Sequence, residues 1–222
     1  MIVGFCGLIG SGKDTAADYL VNYHGFRRDS FANSLKDALS NIFGWDRTLL
    51  EGKTKESREW RNQVDEWWAE RLGIPELTPR LMLQLWGTEV CRKSFHDDIW
   101  IASLENKIRK TKDDVVISDV RFPNEMKAIH DSGGIVIRIK RGDDPEWFDA
   151  AESVNRGPIA NPTWSLSKIK LQNLKVHSSE SSWVGGNIDY VIDNDSTIDN
   201  LFSKLELIIK DPASNLLDAK AA

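Results

Sequence analysis

The stretch IVGFCGLIGSGKDTAADYL, residues 2–20, constrains this chain more than any other. Ile2 to Cys6 is short, apolar and partly β-branched, which predicts a buried strand. Gly7, Gly10 and Gly12 follow. Thr15 to His24 then places Ala16, Tyr19, Leu20 and Tyr23 on one side of a helix, and Gly25 is its stop. The order is strand, glycine loop, helix. Gly7, four residues, Gly12 and Lys13 match the pattern G-x-x-x-x-G-K, but Asp14 stands where Ser or Thr is usual and Thr15 comes one place later. Glycines let successive backbone N–H groups turn inward onto a phosphate. The helix N-terminus adds partial positive charge and Lys13 a full one. Thr15 is then the hydroxyl for Mg²⁺. The bland alternative, a tight turn with an exposed lysine, leaves a complete motif in its proper context unexplained.

Beyond the loop, Phe26–Ala32 reads as a weak second strand, and Asn33 or Ser34 as the cap of a helix over Leu35–Phe43 that Gly44 ends. Residues 45–73 are charged and Trp-rich, with a helix expected from about Ser57 to Leu72 and Trp60, Trp67 and Trp68 as packing residues. Pro75 and Pro79 separate it from a helix over Arg80 to about Lys93, interrupted at Gly87-Thr88, and Ile99–Lys110 is a further helix. VVISDV (115–120) predicts a buried strand, Pro123 to about His130 a helix closed by Gly133-Gly134, and IVIRIK (135–140) another strand. Residues 142–187 read as polar and irregular, with turns at Gly157-Pro158 and Asn161-Pro162. A last strand at IDYVID and a last helix over Thr197–Lys210 precede a frayed end. Strands alternating with helices predict an α/β parallel sheet with helices on both faces. Ligands in such sheets sit beyond the C-terminal strand ends, which puts Gly7–Thr15, Asp119–Arg121 and Arg141 on one rim.

A chain of 222 residues, 41% hydrophobic, suffices for one such domain with insertions at 45–79 and 142–187, both candidates for mobile covers. The net charge of −5 argues against a general nucleic-acid binder. Cys6 and Cys91 are the two cysteines, and with Cys6 in a strand a bridge is not expected, so a reducing cytoplasmic setting is. The N-terminus has no basic leader pattern, no apolar run approaches a membrane span, and four scattered histidines give no zinc pattern.

Three further groups bear on chemistry. In SDVRFPNE (118–125) Asp119 and Arg121 leave a strand end two residues apart. Asp119 fits Mg²⁺ through water or orientation of an acceptor, and Arg121 fits a phosphate clamp; an Asp–Arg pair bracing a turn is the plainer reading. In PRLMLQLWGTEV (79–90) Arg80 and Gln84 share a helix face, suited to a phosphate and, with Thr88, a base edge, while Leu81, Leu85 and Trp86 pack inward. HSSE (177–180) invites acid–base chemistry at His177 and Glu180, although a polar surface loop explains it better. Trp100, after Asp97-Asp98, suits either a stacked base or the core.

Together GSGKDT (10–15), SLKDAL (34–39), LQLWGTEV (83–90), DDIWI (97–101), SDVRFPNE, HSSE and DYVIDND (189–195) resemble the deoxynucleoside monophosphate kinases of tailed bacteriophages, within the P-loop nucleoside monophosphate kinase group. Members of that group commonly read G-K-x-T, so the displaced threonine fits. The resemblance implies a three-layer P-loop kinase fold with a sheet of about five strands. It implies transfer of the γ-phosphoryl group of ATP, with Mg²⁺, to a deoxynucleoside 5′-monophosphate. It implies ATP binding by Gly10, Gly12, Lys13, Asp14 and Thr15, metal binding by Thr15 and Asp119, and an acceptor site of Lys36, Arg80, Gln84, Gly87, Thr88, Trp100, Asp119, Arg121 and Glu125. Lys13, Arg80, Asp119 and Arg121 are the residues it makes catalytic, with Arg141 or Arg156 as further arginines. Expected partners are small nucleotides, with no stable nucleic acid, no membrane and a homodimer as the default assembly.

The chemistry agrees, because a monophosphate acceptor is already an oxyanion and needs positioning and charge neutralisation rather than a strong base. The rival readings are a kinase resembling dephospho-coenzyme A kinase, for which a carboxylate base at Asp119 would matter more, and an ATP-binding sensor with no small acceptor. A nucleic-acid end kinase fits the charge less well. The base is left open.

Overall fold

The apolar stretches become five strands of one parallel sheet in the computed structural model, which describes residues 1–158 and 163–210. In chain order the elements are β1 (Ile2–Cys6), α1 (Lys13–His24), β2 (Arg27–Asp29), α2 (Asn33–Phe43), α3 (Lys55–Trp60), α4 (Glu66–Leu72) and α5 (Pro79–Gln84). A π-helical stretch, Leu85–Phe95, continues α5. Then come α6 (Ile99–Ile108), β3 (Val115–Ile117), α7 (Pro123–Asp131), β4 (Ile135–Lys140), α8 (Phe148–Asn155), α9 (Trp164–Asn173), α10 (Ser178–Ser181), β5 (Tyr190–Asp193) and α11 (Ile198–Lys210). The chain divides into two compact units, Met1–Asp29 with Thr111–Ala222, and Ser30–Lys110. The expected turn at Asn161-Pro162 and the expected frayed end fall outside the described residues.

The first unit holds the sheet, in the order β2-β3-β1-β4-β5, every pair parallel. All five residues of β1 are buried, as a central strand covered on both faces requires. Val3, Phe5, Ile137 and Ile139 turn to one face and pack with Ala16, Leu20, Leu201 and Leu205 of α1 and α11. The alternate positions face the other way. A Cβ on Gly4 would lie 2.5 Å from Ile129 Cδ1 of α7, so glycine there admits that helix. Arg138 of β4 lies under the Phe148 and Trp183 rings, 4.5 and 5.2 Å from their centroids, and pairs with Asp144.

The described residues of 142–187 are not irregular as expected. They form α8, α9 and α10, and Ala150, Ala151, Trp183 and Val184 are buried. Asn155 Nδ2 ties the ends together by donating to the carbonyls of Ser181 and Val184, 2.8 Å each. α9 buries no residue, so its sequence carries no apolar stripe to mark a helix.

In the second unit Leu35, Leu39, Phe43, Trp45, Leu50, Leu77 and Met82 form the core, with Trp60, Trp68, Trp86 and Trp100 against it. The single helix expected over Ser57–Leu72 is two helices. In a continuous helix the Asp65 N–H would bond the Arg61 carbonyl; here Asp65 N donates to Leu77 O (3.0 Å) and Arg61 O accepts from Arg80 N (2.9 Å). Asp65 caps α4 through Trp68 N (3.2 Å) and takes the Trp45 indole N–H (2.8 Å). Trp67, expected to pack, is largely exposed and meets Trp68 edge-on. Neither Asn33 nor Ser34 caps α2, which starts at Asn33 after Ala32 without a side-chain cap. Gly87-Thr88 does not break its helix; the winding widens from α to π at Leu85. Among the described residues no helix is long and apolar enough to cross a membrane.

Candidate active site

Gly7, Gly10 and Gly12 have φ of 134°, 80° and 104°, conformations in which other residues are strained. They curl the chain from the end of β1 into the first turn of α1. A Cβ on Gly7 would sit 2.4 Å from the Ile139 carbonyl, and one on Gly12 2.5 Å from Asn194 Nδ2. Glycine is therefore required both for the turn and for the close approach of its neighbours. Lys13 Nζ folds back and donates to the carbonyls of Gly7 (2.8 Å) and Leu8 (2.6 Å). Burial pushes the Lys13 ammonium below the usual lysine range; Asp14 and Asp119 oppose that and Arg121 adds to it. Lys13 thus feels the charges of both the loop helix and the turn after β3. Burial lifts the Cys6 thiol, just before the loop, to about 12, so it is an inert core group.

The turn after β3 lies on the same rim, because β1 and β3 are parallel neighbours. Arg121 is exposed. Glu125 is buried, and its Oε2 accepts from the backbone N–H groups of Arg121 (2.7 Å) and Phe122 (3.1 Å). It thereby braces the backbone of Arg121. Asp14 is exposed and pairs with Arg28, which also donates to Asp18 Oδ1 and Ser118 Oγ, 2.7 Å each.

Sequence reading missed two residues of this rim. Asn194 closes the loop from β5 by donating to Ser11 O (2.9 Å), and Arg28 gathers the partners just named. The polar DYVIDND after the last apolar run was the available signal for Asn194; nothing local marks Arg28. Arg141 is exposed at the end of β4, and Arg156 pairs with Glu152 (2.7 Å). His177 caps α10, its Nδ1 accepting from Ser179 N (3.2 Å), so HSSE is a short helix start where a polar loop was expected.

The second unit carries the other candidates. Arg80 and Gln84 are exposed and share a face of α5, and Thr88 is half-buried in the π-helical continuation. Lys36 is committed to Glu51 (2.8 Å), which also pairs with Arg47. Burial alone would raise Glu51, but the hydrogen bonds and charges of Lys36 and Arg47 hold it below its ordinary range. Gly87 is a packing residue, since a Cβ there would lie 2.7 Å from Leu35 Cδ2. Trp100 donates its indole N–H to Gly87 O (2.9 Å) and packs against the core, which favours the structural reading over a base platform.

A parallel sheet in the order β2-β3-β1-β4-β5, helices on both faces and a glycine loop opening α1 from β1 define a P-loop kinase fold. The family model for deoxynucleotide monophosphate kinase matches residues 72–152. A protein of Acanthamoeba polyphaga mimivirus, named provisionally as a deoxynucleotide monophosphate kinase, is 30% identical over 219 residues, covering 92% of this chain and 94% of that one. The deoxynucleoside-5′-monophosphate kinase of Escherichia phage T5 is 31% identical over 181 residues, 60% of this chain and 72% of its own. Among solved structures, shikimate kinase from Aquifex aeolicus is similar at 12% identity and a TM-score of 0.43, over 96% of this chain and 98% of that one. The chain belongs to the deoxynucleotide monophosphate kinase family.

Proposed function

We propose that the protein transfers the γ-phosphoryl group of ATP to a deoxynucleoside 5′-monophosphate, giving the diphosphate and ADP. The observation that carries the reading is the glycine loop at the end of β1 beside the turn that carries Asp119 and Arg121 after its parallel neighbour β3, within a chain of this family. ATP phosphates would take the place of the Gly7 and Leu8 carbonyls on Lys13 and receive the N–H groups of Gly10 through Thr15. Release of Lys13 from its own loop supplies a full charge where the phosphates carry negative charge.

Thr15 and Asp119 fit Mg²⁺ by donor type, a hydroxyl and a carboxylate, and the Thr15 hydroxyl makes no hydrogen bond to another described residue. When bound, Mg²⁺ would neutralise phosphate charge. Arg121, with its backbone held by Glu125, clamps an oxyanion on the same rim. No described side chain is required as a strong base, because the acceptor phosphate is already ionised. The second unit is proposed to recognise the acceptor, through the exposed Arg80 and Gln84 with Thr88. On the same reading the chain is a single kinase domain working in the cytoplasm, with 45–79 as an insertion on the acceptor side and 142–187 as a lid-like segment.

The test is ADP release from ATP and Mg²⁺ with a panel of deoxynucleoside and ribonucleoside monophosphates. Stimulation by one or two deoxynucleotides is expected. ATP binding with no stimulation by any of them would refute the reading, and dephospho-coenzyme A would be the next acceptor.

A further inference from the structure

Asp14 occupies the place of the usual hydroxyl residue, and its partner is not on its own helix. Arg28, the middle residue of β2, reaches across to α1 and to the end of β3. Its Nη1 donates to Asp18 Oδ1 (2.7 Å), and its Nη2 donates to Ser118 Oγ (2.7 Å) and to the Asp14 carboxylate. Asp14 immediately precedes Thr15, and Ser118 immediately precedes Asp119. One planar group therefore holds the chain neighbours of both residues assigned above to the metal ion.

We propose that Arg28 is a positioning residue that sets the spacing of Thr15 and Asp119. The inference rests on the ATP and Mg²⁺ reading of that rim. Two physical points support it. Asp14 and Asp18 lie one turn apart on α1, so both carboxylates stand on the helix whose N-terminus must receive phosphates. Arg28 offsets that charge while leaving Lys13 to the loop. The guanidinium fork also bonds acceptors on two elements at fixed angles, which an ammonium cannot reproduce. A plain surface ion pair would contribute little to stability and nothing to metal-dependent binding.

The test compares calorimetric affinities of the whole protein for ATP with Mg²⁺ and for ATP in a chelator, together with melting temperatures. Arg28→Gln is expected to weaken binding of the Mg²⁺ complex about tenfold, a fraction of what an ångström of misplacement costs at a reacting site. It should weaken metal-free ATP far less, so the ratio of the two affinities falls. Arg28→Lys should recover part of the ratio, and Ser118→Ala should lower it in the same direction. If Arg28→Gln does not fold, Arg28→Lys and Ser118→Ala supply the ratio. An unchanged ratio in the folded variants, whatever their melting temperatures, overturns the proposal, because a merely structural role would move only the latter. A wild-type protein that binds neither form of ATP would overturn the functional reading itself, which separates the two failures.

Discussion

Gly12→Ala is a perturbation whose cost divides into two separable parts. The first is backbone strain: Gly12 has φ 104°, and an L-residue in a left-handed conformation costs about 1–2 kcal/mol. The second is a contact: the new methyl would stand 2.5 Å from Asn194 Nδ2, which donates to Ser11 O at 2.9 Å. That amide must move, and the loss of one such bond costs about 0.5–1.5 kcal/mol. Gly12→Ala should therefore destabilise by about 1.5–3.5 kcal/mol. Asn194→Ala alone should cost about 1 kcal/mol, the bond without the strain. In the double variant the bond is lost once and no amide stands in the way of the methyl. Its cost should fall short of the sum by about 1 kcal/mol. The assay is urea unfolding of the four proteins, read as midpoints at constant slope. Additivity of the two substitutions within about 0.5 kcal/mol would refute the argument, because the Gly12 penalty would then owe nothing to Asn194.

Lys13→Ala should reduce turnover by about 10²-fold or more while the protein stays folded, checked by ADP release and circular dichroism; its loss removes the full charge of the phosphate cradle. Arg121→Ala should leave the affinity for ATP with Mg²⁺ near wild type and lower kcat/KM for the acceptor by about 10²-fold, measured by steady-state kinetics over acceptor concentration. The Lys36–Glu51–Arg47 group gives a pH signature. The folded Glu51 is held below its unfolded value, so the stability it contributes is present above the ordinary glutamate pKa of about 4.3 and is lost as pH falls through the folded value. The stability gap between wild type and Lys36→Met, from denaturant midpoints, should be fully open at pH 7 and narrow below about pH 4. A gap independent of pH would rule out the ionised Glu51 as its source.

Much of the sheet is legible in the sequence. Ile2–Cys6 and Ile135–Lys140 are legible to the residue, the first because a central parallel strand is apolar on both faces, the second because apolar residues alternate with Arg138 and Lys140. Gly25 and Gly44 marked helix ends because the left-handed cap favours glycine wherever it occurs. The phosphate loop was legible for the same reason: its chemistry lies in consecutive residues.

What failed depended on distant partners. The helix expected over Ser57–Leu72 splits because Leu77 and Arg80 take the backbone groups of Asp65 and Arg61. The surroundings of Glu125 and Trp100 were equally unreadable: the Glu125 carboxylate accepts from the backbone of Arg121, and the Trp100 indole donates to Gly87 O. The pairing of Asp14 could not be read, since its partner Arg28 is on β2 and the Ser118 that Arg28 also holds follows β3. The sequence by itself determined the elements whose signals are local: apolar period, glycine φ, and a phosphate loop in strand–helix context. Only the tertiary structure decided which polar groups face solvent and which are consumed by neighbours, because a hydrogen bond between residues a hundred positions apart leaves no periodic trace in either.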